Sequence, residues 1–132
     1  MKSILLVDDD TTLLLAIGVR LKNMGYTVYT AKDAVSAVSA VVKNLPDIVV
    51  LDVALPAGDG FLVAERLQRM VGCAATPVIF MTASENPRLR ERSVQLGAAS
   101  FLRKPFDATT LADAVESALS PGDGWHLKAS GE

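Results

Sequence analysis

The stretch SILLVDDDTT, residues 3–12, runs four apolar residues, Ile4 to Val7, directly into three aspartates, Asp8, Asp9 and Asp10. The apolar half reads as a buried strand. The acidic half is costly, because two carboxylates about 5 Å apart repel by roughly 3 kcal/mol at an effective dielectric of about 20. Either something offsets that cost, or the acids point away from one another.

Four more short runs resemble the first: YTVYTA (26–31), DIVVLD (47–52), PVIFMT (77–82) and ASFLRK (99–104). Three of the five runs are nearly continuous in apolar residues, as strands covered on both faces are. The segments between them have helical periodicity. From Thr11 to Met24, Leu13, Ile17, Leu21 and Met24 recur at i, i+4, i+8 and i+11, with Asp10 or Thr11 as cap and Gly25 as stop. Further helices are predicted over Asp33 to Asn44 with Asp33 as N-cap, from Asp59 or Gly60 to Met70 with Leu62, Val63, Leu67 and Met70 as its apolar residues, from Glu85 to Leu96 with Pro87 in the first turn, and over Asp107 to Leu119. The second, AVSAVSAVV, is ambiguous alone and becomes a helix through its place between two strands. Strict βα alternation predicts an α/β fold: a five-stranded parallel sheet, doubly wound as a (βα)5 flavodoxin-like three-layer sandwich. In such sheets functional groups gather beyond the carboxyl ends of the strands.

The remaining composition fits one soluble domain over 1–120, with SPGDGWHLKASGE (120–132) opening a linker or tail from 121 onward. Trp125 and His126 fall in that tail and read as loosely docked or solvated. Net charge is −2, so nothing global points to nucleic acid. Cys73 is the only cysteine, which excludes an internal disulfide and a thiolate metal cage. No apolar run approaches the ~20 residues of a membrane span, and Met1-Lys2-Ser3 is too short to precede a signal sequence. A cytoplasmic location is expected.

If the strands are parallel, their ends bring Asp8, Asp9, Asp52, Thr82 and Lys104 to one edge. Three clustered carboxylates suit a hard cation such as Mg²⁺, which offsets their repulsion, while Lys104 offsets part of the rest. The chemistry this favours is phosphoryl transfer, in which positioning and charge neutralisation do most of the work. A carboxylate can itself be the nucleophile. Asp52 is the best candidate, since it ends a central apolar run and the loop VALPAGDG follows it.

With VDDD (7–10), PDIVVLDVALPAGDGF (46–61), PVIFMTA (77–83) and FLRKPF (101–106) in this order, residues 2 to about 120 resemble the response-regulator receiver domain of two-component signalling. The resemblance implies that Asp52 is the phosphoacceptor, that Asp9 binds Mg²⁺ directly and Asp8 mainly through water, and that the Ala54 carbonyl is a further ligand. It implies that Thr82 and the Ala83 N–H receive the phosphoryl group, that Lys104 pairs with one of its oxygens, and that Phe101 is an aromatic switch residue. The Lys104–Pro105 bond is expected to be cis. The implied partners are a sensor histidine kinase or a histidine phosphotransfer protein, and a second copy joined through the fourth helix, fifth strand and fifth helix. Neither nucleic acid nor membrane is bound directly, and the domain is a switch rather than an enzyme. Ala54 stands where many relatives carry a larger or polar residue, and Ser84 is also small; both bear on water access to an acyl phosphate.

Several residues have plainer readings. Asp10 reads as a helix cap, Asp59 as a turn and cap residue, and Arg88, Arg90 and Arg92 as a solvated face. Phe101 fits ordinary core as well as a switch. Leu13, Leu14 and Leu15 are wider than one stripe, so either all are core or one meets a partner. Two other functions compete. A phosphatase of the haloacid-dehalogenase type needs a second acid where Ala54 stands. A nucleotide-binding module needs a glycine-rich loop where the three aspartates stand.

Overall fold

The computed structural model describes residues 2–56 and 58–120. The tail expected at 121–132, with Trp125 and His126, lies outside the described residues. The elements are β1 (Ser3–Val7), α1 (Thr11–Asn23), β2 (Thr27–Ala31), α2 (Ala34–Asn44), β3 (Ile48–Asp52), α3 (Gly60–Gln68), β4 (Val78–Thr82), α4 (Pro87–Gln95), β5 (Ser100–Arg103) and α5 (Ala108–Leu119). The strands form one parallel sheet in the order β2-β1-β3-β4-β5. The expected doubly wound three-layer sandwich is what the chain adopts.

Side chains alternate across each strand, and the two sets build two cores. Leu5, Val7, Val49, Leu51 and Phe80 face α2, α3 and α4 through Ala37, Val41, Phe61, Leu67 and Leu89. Ile4, Leu6, Ile48, Val50, Ile79 and Met81 face α1 and α5 through Leu14, Leu21, Leu111 and Val115. All five residues of β3 are buried, which is why its sequence lacks polar alternation. The edge strands β2 and β5 are mostly half-buried and correspondingly more polar.

Each helix starts on a side-chain oxygen that accepts from a first-turn N–H. Asp10 accepts from Thr12 and Leu13, Asp59 from Leu62, Asn86 from Arg88 and Asp107 from Thr110, at 2.8–3.1 Å. Asp33 accepts from Ser36 N at 2.7 Å, while Ser36 Oγ accepts from Asp33 N at 3.3 Å, closing a capping box. This box fixes the start of the valine-rich segment whose pattern alone was ambiguous. The Ser36 and Thr110 amides hold the carboxyls of Asp33 and Asp107 below the usual range.

Two expected helix faces are corrected. In α1 the buried residues are Leu14, Gly18 and Leu21, while Met24 is 43% exposed and Leu13 only half-buried. The face turned to the sheet thus includes Gly18, which lies against β2; a Cβ there would sit at an ordinary 3.9 Å from Val28 Cγ1. In α3, Phe61, Val63, Ala64 and Leu67 enter the core while Leu62 is 55% exposed, and the helix ends at Gln68 rather than Met70. The fourth helix begins at Pro87, with Asn86 rather than Glu85 at its threshold.

Gly60 shows why the loop after β3 is built as GDG. Its N–H donates to Val53 O at 2.8 Å, and a Cβ would collide with the Asp52 carbonyl oxygen and stand 3.2 Å from Val53 Cα. Backbone cannot step aside as a side-chain tip can. Gly60→Ala is expected to cost about 2–3 kcal/mol by overpacking. Gly18→Ala, in open contact within a helix, should stabilise by about 0.5–1 kcal/mol. Urea unfolding of both variants checks the pair; equal midpoints would contradict the described backbone approach.

Candidate functional site

Parallel alignment carries the polar ends of β1, β3, β4 and β5 to one edge. Asp8 follows β1 and is fully buried, Asp52 ends β3 at 5% exposure, and Thr82 ends β4 at 3%. Lys104 follows β5, and its N–H donates to Thr82 O at 2.8 Å. The Lys104–Pro105 peptide is cis, as expected.

Lys104 Nζ lies 2.6 Å from Asp8 Oδ2 and 2.8 Å from Asp52 Oδ2. The other oxygen of each acid accepts from a backbone amide two residues on: Asp8 Oδ1 from Asp10 N and Asp52 Oδ1 from Ala54 N, both at 2.9 Å. Both carboxylates are thereby fixed in direction. Asp9, exposed at the rim, completes the group: one carboxylate oxygen from each of Asp8, Asp9 and Asp52 lies within 4.8 Å of the others.

The electrostatics follow from this packing. Burial pushes the Asp52 carboxyl above its ordinary range, the neighbouring Asp8 adds to this, and Lys104 and the Ala54 amide oppose it without cancelling it. Burial alone would lower Lys104, but its bonds to Asp52 and Asp8 outweigh that and raise it. Lys104 therefore stays charged. With three carboxylates against one ammonium, the pocket retains net negative charge when all are ionised. An all-oxygen donor set with surplus negative charge fits a hard divalent cation such as Mg²⁺.

The other expected residues are arranged around this centre. Thr82 Oγ1 accepts from Ser84 N at 3.0 Å, so its hydroxyl is engaged with the following loop. Ala54, Ala83 and Ser84 are exposed. Phe101 is half-buried against the core beneath α4 and pairs in register with Phe80. Asp10 and Asp59 are helix caps. Of the three leucines, Leu14 is buried, Leu13 half-buried and Leu15 70% exposed, which leaves Leu15 as the one available to a partner.

The arginine run is less uniformly solvated than expected. Arg92 Nη2 lies 2.6 Å from Glu65 Oε2 and its guanidinium sits 6.0 Å from the Phe61 ring centroid. Gln68 Nε2 adds a second α3–α4 tie, donating to Leu96 O at 2.7 Å. These ties join residues 27 and 28 apart in sequence, and no local pattern marks them.

Fold and site together define a class: a doubly wound α/β domain with buried aspartates and a paired lysine at the strand ends. Residues 4–116 match the family model described as the response regulator receiver domain. The chain belongs to this family, whose members are the phosphoacceptors of two-component signalling. It is 33% identical over 123 residues to the DNA-binding dual master transcriptional regulator RpaA of Synechocystis sp., covering 93% of this chain and 51% of that protein. It is 35% identical over 114 residues to the response regulator PleD of Caulobacter vibrioides, covering 86% and 25%. The chain thus spans about half or less of the length of these curated relatives. Among solved structures, the chemotaxis response regulator CheY4 of Vibrio cholerae superposes with a TM-score of 0.84 at 28% identity, covering 90% of this chain and 99% of that one. No helix among the described residues is long and apolar enough to cross a membrane.

Lys104→Met removes the cation that faces two buried acids, and is expected to cost about 3 kcal/mol near neutral pH. Asp52 already has a raised folded-state pKa, so its contribution to stability is full at low pH and is lost as pH rises through that value. Without Lys104 the rise is larger, and the variant should regain stability relative to wild type as pH falls through the carboxylate range. Asp33 and Asp107 have depressed values and act with the opposite sign, but they are common to both proteins and cancel in the difference. Thermal unfolding from neutral to acidic pH measures that difference; a pH-independent gap would contradict the pairing.

Proposed function

We propose that this chain is a Mg²⁺-dependent phosphoacceptor switch in which Asp52 takes the phosphoryl group from a phosphohistidine. The supporting observation is the convergence of the Asp8, Asp9 and Asp52 carboxylates with Lys104 at the strand ends. The donor is a sensor histidine kinase or a histidine phosphotransfer protein, which places the protein in the cytoplasm. An Asp52 oxygen attacks phosphorus, the P–N bond breaks, and the imidazole leaves with the electron pair. Asp9, Asp8, Asp52 and the Ala54 carbonyl would hold Mg²⁺, which supplies positive charge to the carboxylates and phosphoryl oxygens.

Lys104 transfers its hydrogen bond from Asp52 to a phosphoryl oxygen. Thr82 leaves the Ser84 amide and donates its hydroxyl to the same group, with the Ala83 N–H as a further donor. Phe101 turns inward behind Thr82, and the face made of α4, β5 and α5 is remodelled for an output partner or a second copy. Moving such an equilibrium from mostly off to mostly on takes roughly 5 kcal/mol of differential interaction. The domain assists its own phosphorylation and dephosphorylation but turns over no separate substrate. The phosphatase reading is disfavoured by Ala54, which supplies no general acid.

Incubation with acetyl phosphate and Mg²⁺, read by intact mass, should show a gain of one phosphoryl group that chelation removes and Asp52→Asn abolishes. Lys104→Ala should form the adduct poorly, or form it without switching. Mg²⁺ should stabilise the wild type by about 1.4 kcal/mol at ten times the dissociation constant, seen as a higher melting temperature. Asp9→Asn, at an exposed position, should fold normally and lose that shift. Absence of an adduct with acetyl phosphate and with every phosphohistidine donor tried would overturn the assignment.

A further inference from the structure

At the amino ends of β4 and β5, on the opposite edge of the sheet from the acidic site, the described residues surround a cavity of about 330 Å³. Leu67, Cys73, Phe80 and Ala98 line it and are buried. Gln68, Gly97 and Ala118 also line it and are exposed or half-buried. Protein interiors leave few voids larger than a water molecule. This one reaches the size of a small-ligand pocket. Its walls are largely alanine, and apart from Gln68 and Thr76 they present apolar side chains, glycine or the Cys73 thiol.

The chain carries a group suited to this space. Ala118, in the last turn of α5, lines the cavity, and Ser120 leaves that helix in an extended conformation. The sequence continues Pro121-Gly122-Asp123-Gly124, which joins two turn dipeptides, and then Trp125, the only tryptophan. Five residues from Ser120 to Trp125 reach at most about 18 Å. Ala118 is only about 3 Å back along the helix from Ser120, so a reversal at the turn residues brings the ring within range of the cavity. Tryptophan offers a large apolar surface and one N–H that needs an acceptor. Gln68 Nε2 is committed to Leu96 O at 2.7 Å, while Gln68 Oε1 has no partner among the described residues and is left to accept from an indole.

We propose that the segment after α5 folds back and seats Trp125 in this cavity, over Cys73. Tethering makes a weak fit sufficient. A short flexible linker holds the indole at an effective concentration of about 1 mM, so any affinity tighter than that fills the cavity most of the time. A small apolar molecule arriving from solution has no such advantage. The seated ring covers the buried faces of Leu67 and Phe80 and the thiol of Cys73. It also joins the end of α5 to the loop between α3 and β4 and to the end of α4, where Gln68 and Leu96 are already tied. The cavity lies at the far edge of the sheet from Asp52, so the inference depends on no role assigned there.

Trp125 and Cys73 are each the only residue of their kind, so each reports on one side of the contact. In the full chain, Trp125 fluorescence should be blue-shifted and shielded from acrylamide. It should move to the red in urea with the same midpoint as circular dichroism. Trp125→Ser alters none of the described residues and should leave the circular dichroism unchanged. With the cavity open, iodoacetamide should alkylate Cys73 of this variant about tenfold faster than in the wild type under native conditions. An emission already at its unfolded position in the native protein overturns the proposal. So does a Cys73 alkylation rate that Trp125→Ser does not change. So does shielding that appears only as protein concentration rises, because the ring then comes from a second copy.

Discussion

The structure turns on one three-body contact: Lys104 bonded to Asp8 and to Asp52. It joins the ends of three strands, with Lys104 lying 96 residues from Asp8 and 52 from Asp52 along the chain. The contact exists only if β1, β3 and β5 run the same way and in one register. Val7 opposite Leu51 brings Asp8 level with Asp52 across the sheet, and Thr82 opposite Arg103 brings Lys104 to the same edge. A one-residue slip in any of these strands would turn its acid or base to the other face and its apolar set to the wrong core. Packing thus specifies the register, and the register assembles the polar site.

Burying this centre is unfavourable by itself. Desolvating two carboxylates and an ammonium costs several kcal/mol per ion before pairing repays it. The chain meets part of that cost with backbone amides, which satisfy the carboxylate oxygens that Lys104 does not reach. The rest remains as surplus negative charge. Local rules of stable folding are plainly broken here, which is where a functional site is expected to lie.

Much of this was legible in the sequence, for identifiable reasons. The strands over two-sided cores lack polar residues, so β1, β3 and β4 stood out, and parallel order followed from alternation with helices. Asp33 precedes its helix as a cap does, and Asp10 and Asp59 could be assigned to capping because their sequence neighbours supplied the amides; the capping roles of Asn86 and Asp107 emerged only with the backbone. The facing of α1 was not legible, because a glycine on the buried face carries no hydrophobic signal; the periodic leucines and isoleucine pulled the expected stripe one position away. Leu62 misled in the opposite sense, being apolar yet exposed. The Arg92–Glu65 and Gln68–Leu96 ties join side chains to distant partners, and charge patterns report only on neighbours within a turn or two. The approach of Gly60 to the Asp52 carbonyl left a trace in Gly58-Asp59-Gly60, but a turn explained that trace equally well.

The state of Asp52 draws these threads together. A nucleophilic carboxylate has to be ionised, yet burial beside Asp8 favours its protonated form. Lys104 opposes this and is itself held charged by the same two acids. Neutralising Asp8 would ease the repulsion at Asp52 but weaken the grip on Lys104, so the three groups cannot be tuned separately. A divalent cation at the Asp8–Asp9–Asp52 oxygens would act on the same balance from the rim, favouring ionised Asp52 and freeing Lys104 to bond an incoming anion. If Asp52 is the nucleophile proposed above, the pocket's surplus negative charge, unfavourable to the fold alone, would couple a cation's arrival to its readiness.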